Sequence, residues 1–370
     1  MRSTFLHYGF HAWAMYGVVA LALAYSQFRK GEVGLLSKVL RPLFGDRVDG
    51  LLGIIVDVMA VFATALFLMS AWSGLSKGIQ YLSNLNMILA AMLFIVILVV
   101  GPTILILNMM TAGTGQYLCT FLIQSFDVAP LNEQKSEWMS TWTVYYWGWR
   151  MSWSPFVGIF IARVSRGRTI REFVMAVLFV PTLIGIVWFS TFGMTGVSVG
   201  QSVPEIFEMP PETQLFGVFD ELPMGLLLSL VAMLLVSSFF ITSADSATFV
   251  LGMQTSFGSL TPSGMIKVVW VFLFQPSLSA IAFVLLLAGG ETGLNALQSA
   301  AIISALPFSI VVILMVVSFY KDANAERKYF ELTTSPNKRP YENYVKGSAR
   351  EYEEELEDYK KRAKDDPPGI

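Results

Sequence analysis

The chain has 370 residues, 54% of them hydrophobic and 14% charged, with a mean hydropathy of +0.59 and a formal net charge of −2. That balance excludes a soluble globular protein of this size, while a net charge of −2 by itself says nothing about partners. A single cysteine, Cys119, excludes an internal disulfide and any CxxC metal or redox site.

Charge is unevenly placed. From Lys321 to the C-terminus there are 11 basic and 12 acidic residues, 23 of the chain's 52 charges in its last 50 positions. Residues 1–320 are therefore nearly charge-free and read as a polytopic all-α membrane domain, followed by a charged cytoplasmic tail over residues 321–370. Segments that meet the roughly 20 apolar residues needed to cross the bilayer core lie at about 9–27, 50–72, 86–109, 141–162, 173–194, 225–251, 266–289 and 296–319, about eight membrane helices. The start, Met1-Arg2-Ser3-Thr4, leads directly into the first helix without a small-residue cleavage pattern, which predicts no signal peptide.

The first helix carries His7 and His11 beside Tyr8, Trp13 and Tyr16. Two histidines one turn apart with no nearby carboxylate make a poor metal site. Trp13 and Tyr16, spaced i,i+3, share a helix face, and Tyr8 lies about one and a half turns earlier. The loop that follows holds Arg29, Lys30, Lys38, Arg41 and Arg47; Asp57 near the start of the second span reads as structural. Further on, Trp142 to Phe173 is an aromatic-dense helix with Gly148 and Pro155 in it, running into a loop with Arg163, Arg166, Arg168 and Arg171. Trp149 and Trp153 are spaced i,i+4, and Phe156 extends their face.

A quaternary ammonium group donates no hydrogen bond, so it is held by aromatic faces, each worth about 0.5–2 kcal/mol when desolvated. Two aromatic faces on two helices make a box for such a cation. Trp142, Tyr145 and Tyr146, near the outer end of their helix, fit the aromatic belt of the membrane interface instead, whereas Trp149 and Trp153 sit at mid-depth. Gly148 and Pro155 bring the irregular backbone that is tolerated in a membrane where it lines a site. A second polar cluster runs from Ser237 to Ser246 within span 225–251. Its hydroxyls suit a hard cation such as sodium, or helix packing through small residues. Asp245 in that cluster is an intramembrane carboxylate, either an ion ligand or a cap.

The arginine loop places itself in the cytoplasm by the positive-inside bias. Counting outward puts the acidic 195–224 loop and residues 110–140 outside, and the tail and the Lys77 connection inside. The basic loop from Arg29 to Arg47 also reads as cytoplasmic, yet only span 50–72 separates it from Lys77. Two inside loops require an even number of crossings, so either the five-cation loop is held outside or a helix is missing near residue 65, and the positive-inside bias of short loops favours the missing helix.

These residues resemble the betaine/carnitine/choline transporter family, built on a LeuT-like inverted-repeat helical bundle. Trp142–Phe173 looks like that family's signature helix and arginine loop, Phe239 to Val250 is similar to its sodium-site helix, and His7 to Tyr16 looks like the helix that supplies half the aromatic box. Asn295-Ala296-Leu297-Gln298 resembles the opening of its last helix. The resemblance implies secondary active transport, not enzyme chemistry, for a quaternary-ammonium or zwitterionic osmolyte of the glycine betaine, choline or carnitine type. It implies substrate contacts from Tyr8, Trp13, Tyr16, Trp149, Trp153 and Phe156, and sodium contacts from Phe239, Thr242 and Ser243. It implies sodium as coupling ion, a homotrimer among membrane lipid, and a bacterial inner (plasma) membrane location.

Three departures stand out. The family has helices before the one that opens this chain, so the bundle reads as incomplete. Around Ala63-Thr64-Ala65-Leu66-Phe67 the first half of one family helix looks joined to the second half of the next. Arg150 stands where the family usually has a tryptophan of the box, and either pairs with a substrate carboxylate or sulfonate or turns away from the Trp149 face. These departures leave a second reading, a non-transporting remnant or a partner subunit. In the tail, acids precede bases over Ala349–Lys364, which suits a solvated helix that either senses ionic strength or only solubilises.

Overall fold

A computed structural model describes residues 1–68, 79–259 and 305–333, with a few positions between 263 and 303. Among the described residues the chain is helical throughout its length, with no strand. Contacts divide it into residues 1–316 and 317–370.

The first span is not one helix. It forms α1 (Arg2–Tyr8) and α2 (Phe10–Ala24), broken at Gly9. A Cβ at Gly9 would lie 2.9 Å from the Tyr117 hydroxyl, so only glycine admits that side chain. The break frees the Phe10 N–H, which donates to the Tyr117 hydroxyl at 3.1 Å, as a buried backbone donor in a membrane must find a partner. Tyr8 therefore does not continue the helix of Trp13 and Tyr16.

After α2 come a short α3 (Arg41–Phe44) and then α4 (Leu51–Leu68). Leu51, Ile54, Ile55 and Val58 of α4 are exposed, the apolar stripe that lipid covers. The residue 65 join falls near the end of α4, and residues 69–78, with Lys77, lie outside the described residues.

Span 86–109 is corrected to two helices, α5 (Ile79–Val100) and α6 (Thr103–Ser125). Pro102 has no N–H and disfavours helical backbone in Gly101, which ends α5. The Thr103 hydroxyl donates to the Leu98 carbonyl at 2.6 Å and satisfies part of the open end. Much of the stretch assigned to an outside loop is thus helix, and α6 packs against α1 and α9.

Next come α7 (Glu133–Trp138), a π-helical turn over Met139–Val144, α8 (Tyr145–Val164) and α9 (Ile170–Ser202). Thr169 and Glu172 form a reciprocal capping box at the start of α9, which stops the arginine loop and restarts the chain as helix. The acidic loop contains α10 (Pro211–Asp220), followed by α11 (Gly225–Gln254). Span 266–289 lies outside the described residues, and the last span appears as α12 (Ala305–Thr333). Ser83–Val100, Ile170–Ser202 and Ala305–Glu326 are long and apolar enough to cross a membrane. The tail sequence 349–364 is outside the described residues.

The basic loop before α4 is less positive than a count of its cations implies. Arg41 pairs with Glu32 at 2.6 Å and Asp49 at 2.9 Å, and Lys38 also pairs with Asp49. Asp57 of α4 accepts from the Ser37 N–H at 3.0 Å and the Ser37 hydroxyl at 2.7 Å, tying the loop to the helix. Asp57 is accordingly structural.

Hydrogen bonds from Arg41, and then from Lys38, hold the Asp49 carboxyl at about 2, below its ordinary 3.8. A depressed folded-state value means that this stabilisation is complete above about pH 4 and disappears as pH falls toward 2. Amide exchange over residues 36–49 should therefore speed up across that window, and Asp49→Asn should flatten the dependence. An unchanged acid profile in the variant would refute the network's role.

Candidate functional site

The candidate site lies at the contact between α2 and α8, the most extensive helix pairing among the described residues. Close approach has a specific cause. A Cβ at Gly158 of α8 would sit 2.8 Å from the Val19 Cβ and 3.3 Å from the Ala20 backbone nitrogen, so the α2 backbone rests directly on the glycine. One turn earlier, Ser154 is fully buried and its hydroxyl donates to the Arg150 carbonyl at 2.9 Å. Ser152 donates likewise to the Trp149 carbonyl at 2.8 Å. These hydroxyls supply local hydrogen bonds beside Pro155, and α8 runs uninterrupted through Gly148 and Pro155. The irregular backbone lies instead at Gly9 and in the π turn before α8, a geometry frequent at functional sites.

Arg150 faces α2. Its guanidinium carbon lies 4.6 Å from the Tyr8 ring centroid, and its Nη1 donates to the Tyr16 hydroxyl at 3.3 Å. Tyr16 is almost fully buried. One residue from each side of the Gly9 break is thus held by the same cation. Adjacent residues on an α-helix point about 100° apart, so Arg150 turns away from the Trp149 face, one of the two alternatives left by the sequence, and toward Tyr8 and Tyr16. Its Nε is buried without a hydrogen-bond partner among the described residues.

The predicted aromatics separate into two groups. Tyr8 packs on Phe189 at 4.3 Å and Tyr146 at 5.3 Å, and Trp13 meets Tyr16 edge-on at 5.7 Å. On α8, Trp149 and Trp153 stack at 6.1 Å, with Phe156 6.4 Å beyond Trp153. This second row is rotated by about 100° per residue from the face that Arg150 presents.

Beside Tyr8, the His7 imidazole stacks on Tyr146 at 5.2 Å and shares a 3.0 Å hydrogen bond with Thr143. Tyr146, read from the sequence as belt, is therefore packed into the site. Sequence reasoning passes over Tyr117, Phe189 and Thr143, and misses the packing of Tyr146, because their partners lie more than a hundred positions away, as with Phe10 and Tyr117. The hint available was the polarity of their surroundings in otherwise apolar helices.

The sodium candidates lie together on α11. The Thr242 hydroxyl donates to the carbonyls of Ser238 (3.2 Å) and Phe239 (3.0 Å), and the Ser246 hydroxyl donates to the Thr242 carbonyl at 3.0 Å. Ser243 and Phe239 are exposed. The donor chemistry, hydroxyl and carbonyl oxygen, fits a hard cation. In this arrangement the Thr242 and Ser246 hydroxyls turn back onto their own helix. The Asp245 side chain and the residues from Asn295 to Gln298 are outside the described residues.

Comparison with known proteins adds to this geometry. The sequence profile of the betaine/carnitine/choline family transporter matches residues 1–66 and 63–328, two pieces that meet at the join seen in the sequence. The glycine betaine transporter OpuD of Bacillus subtilis (strain 168) is 47% identical over 369 residues, covering 89% of this chain and 71% of the relative. An ectoine/hydroxyectoine transporter of Virgibacillus pantothenticus is 39% identical, covering 86% of this chain and 70% of the relative. The betaine/ectoine transporter LcoP of Corynebacterium glutamicum is 34% identical, over 88% and 58% respectively. Since 89% of 370 residues is about 329, about 40 of the 369 positions aligned with the Bacillus protein have no residue here.

Filling the helix contact should be costly. Gly158→Ala places a methyl against Val19 and the α2 backbone, an overpacking that costs typically about 1–3 kcal/mol. The measurement is the thermal midpoint of the purified protein in detergent, which should fall, with Gly115→Ala on α6 as a comparison site where a Cβ meets nothing within 4 Å. A Gly158→Ala midpoint equal to that of the parent would refute the close contact.

Proposed function

The chain belongs to the betaine/carnitine/choline transporter family, and we propose on that premise that it carries a zwitterionic osmolyte of the glycine betaine or ectoine type. It is an all-α, multi-pass membrane protein of a transporter family, not an enzyme. The observation that carries the substrate reading is the α2–α8 contact, where Tyr8 and Tyr16 meet Arg150 while Trp149, Trp153 and Phe156 form an aromatic row beside it. A zwitterion has one end for each: a carboxylate for the guanidinium and an ammonium for the aromatic faces.

Sodium is the coupling ion in this reading, with Phe239, Thr242 and Ser243 contributing oxygens once the Thr242 hydroxyl is released from its own helix. The support is the donor chemistry of α11 and its resemblance to the family's sodium-site helix. The location is the bacterial inner membrane, supported by bacterial relatives, and the assembly is a homotrimer among lipid, supported by family resemblance alone.

A second reading has its own observation. The profile match breaks at residues 63–66, and about 40 aligned positions of the Bacillus relative have no counterpart. That length corresponds to one membrane crossing and its connection. On this reading the chain is a partner subunit or a remnant, and transports nothing alone.

Uptake of labelled glycine betaine by transport-deficient cells expressing these 370 residues, with and without sodium, separates the two readings. Membrane insertion is confirmed in the same cells. The transporter reading expects saturable, sodium-dependent uptake that weakens about 10-fold in Trp149→Ala, within the range of one desolvated cation–π contact. Absence of uptake from inserted protein would establish the second reading, and uptake indifferent to sodium would remove the coupling ion.

A further inference from the structure

The aromatic position that a quaternary ammonium would take between Tyr8 of α1 and Tyr16 of α2 already holds a cation. Arg150 reaches from α8 to lie 4.6 Å from the Tyr8 ring centroid and donates from Nη1 to the Tyr16 hydroxyl. Neither contact supplies a counter-charge. Among the described residues no carboxylate pairs with Arg150, and its Nε is buried without a partner. An ionised side chain within a membrane helix normally has a paired charge, because its desolvation is otherwise uncompensated. Tyr8 and Tyr16 orient the guanidinium and leave the remaining N–H groups of its planar fork for an anion. A carboxylate is the group that matches that fork, accepting two parallel hydrogen bonds.

We propose that Arg150, seated on Tyr8 and Tyr16, is the resident cation of this site and receives the carboxylate of the osmolyte, so that ligands are selected by their anionic end. The proposal rests on the reading of the α2–α8 contact as an osmolyte site and reverses the usual logic of an aromatic cage. The cage of Tyr8 and Tyr16 is filled from within, and its function is to hold the guanidinium in place. The ammonium end of a zwitterion is then directed to the Trp149–Trp153 row, one residue around the helix from Arg150. A second cation brought against Tyr8 meets repulsion from Arg150 in a poorly screened environment. Quaternary ammonium compounds without a carboxylate are excluded for that reason.

Three ligands of similar size test this with the whole chain in lipid nanodiscs, read by quenching of tryptophan emission. Glycine betaine carries both charges, tert-butylacetate keeps the carboxylate and replaces the ammonium by an uncharged carbon, and choline keeps the ammonium without a carboxylate. Glycine betaine and tert-butylacetate should give saturable quenching, and choline should be weaker by at least about 10-fold. Arg150→Gln should lose the response to both carboxylates, while Arg150→Lys should retain part of it through its charge. Arg150→Trp, which puts a ring in place of the resident cation, should gain a response to choline.

Choline binding as tightly as glycine betaine, with tert-butylacetate silent, would overturn the proposal and leave the osmolyte-site reading intact. An unchanged glycine betaine midpoint in Arg150→Gln would do the same. Quenching by none of the three would overturn both.

Discussion

Helices α2 and α8 touch at Gly158, where the absence of a side chain lets the α2 backbone at Val19 and Ala20 rest on α8. That approach sets the position of everything N-terminal to it on both helices. Two turns before Gly158 on α8 is Arg150, and one turn before Val19 on α2 is Tyr16. With the helices drawn together below them, Arg150 and Tyr16 fall within hydrogen-bond reach. A larger residue at position 158 would spread the helices at the level where the site depends on their separation.

The second constraint is the membrane's demand that backbone polar groups find partners within the protein. It accounts for the breaks as well as the helices. At Gly9 the chain leaves α1 and re-enters as α2, and the Tyr117 hydroxyl takes the freed Phe10 N–H. The same tyrosine packs on Phe5 and Phe10, so one residue of α6 both satisfies and clamps the break. At Gly101–Pro102, Thr103 has the equivalent part, closing the end of α5 with its hydroxyl. The Gly9 break is what frees Tyr8 to leave the line of Trp13 and Tyr16 and reach Arg150 from another direction.

Electrostatics in the loop before α4 show why counting cations misleads. Arg41 and Lys38 share Asp49, and Arg41 also holds Glu32. The loop is a compact ion-pair network anchored to α4 through Ser37 and Asp57 rather than an open positive patch. The parity argument counted one span where α5 and α6 are two helices, so it loses its force once the Gly101–Pro102 break is seen. The folded loop presents much less positive charge than its five basic residues suggest.

Sequence alone determined the class of this protein: apolar runs of membrane length, a polar tail, and motifs on the first helix, on α8 and on α11 that identify the family. Those features are local, since hydropathy is a property of consecutive residues and a motif is read along one helix. The aromatic residues Tyr8, Trp13, Tyr16, Trp149 and Trp153 were legible for the same reason. Their arrangement was not. Whether Arg150 turned toward Tyr8 and Tyr16 or away from them depended on the rotation of α8 against α2, which Gly158 decides across more than a hundred residues of sequence. The split at Gly101–Pro102 hid beneath a continuous apolar run, because hydropathy does not register the loss of a single backbone donor. Tertiary structure alone decided that Arg150 meets Tyr8 and Tyr16, since that follows from how distant helices pack and not from the composition of either.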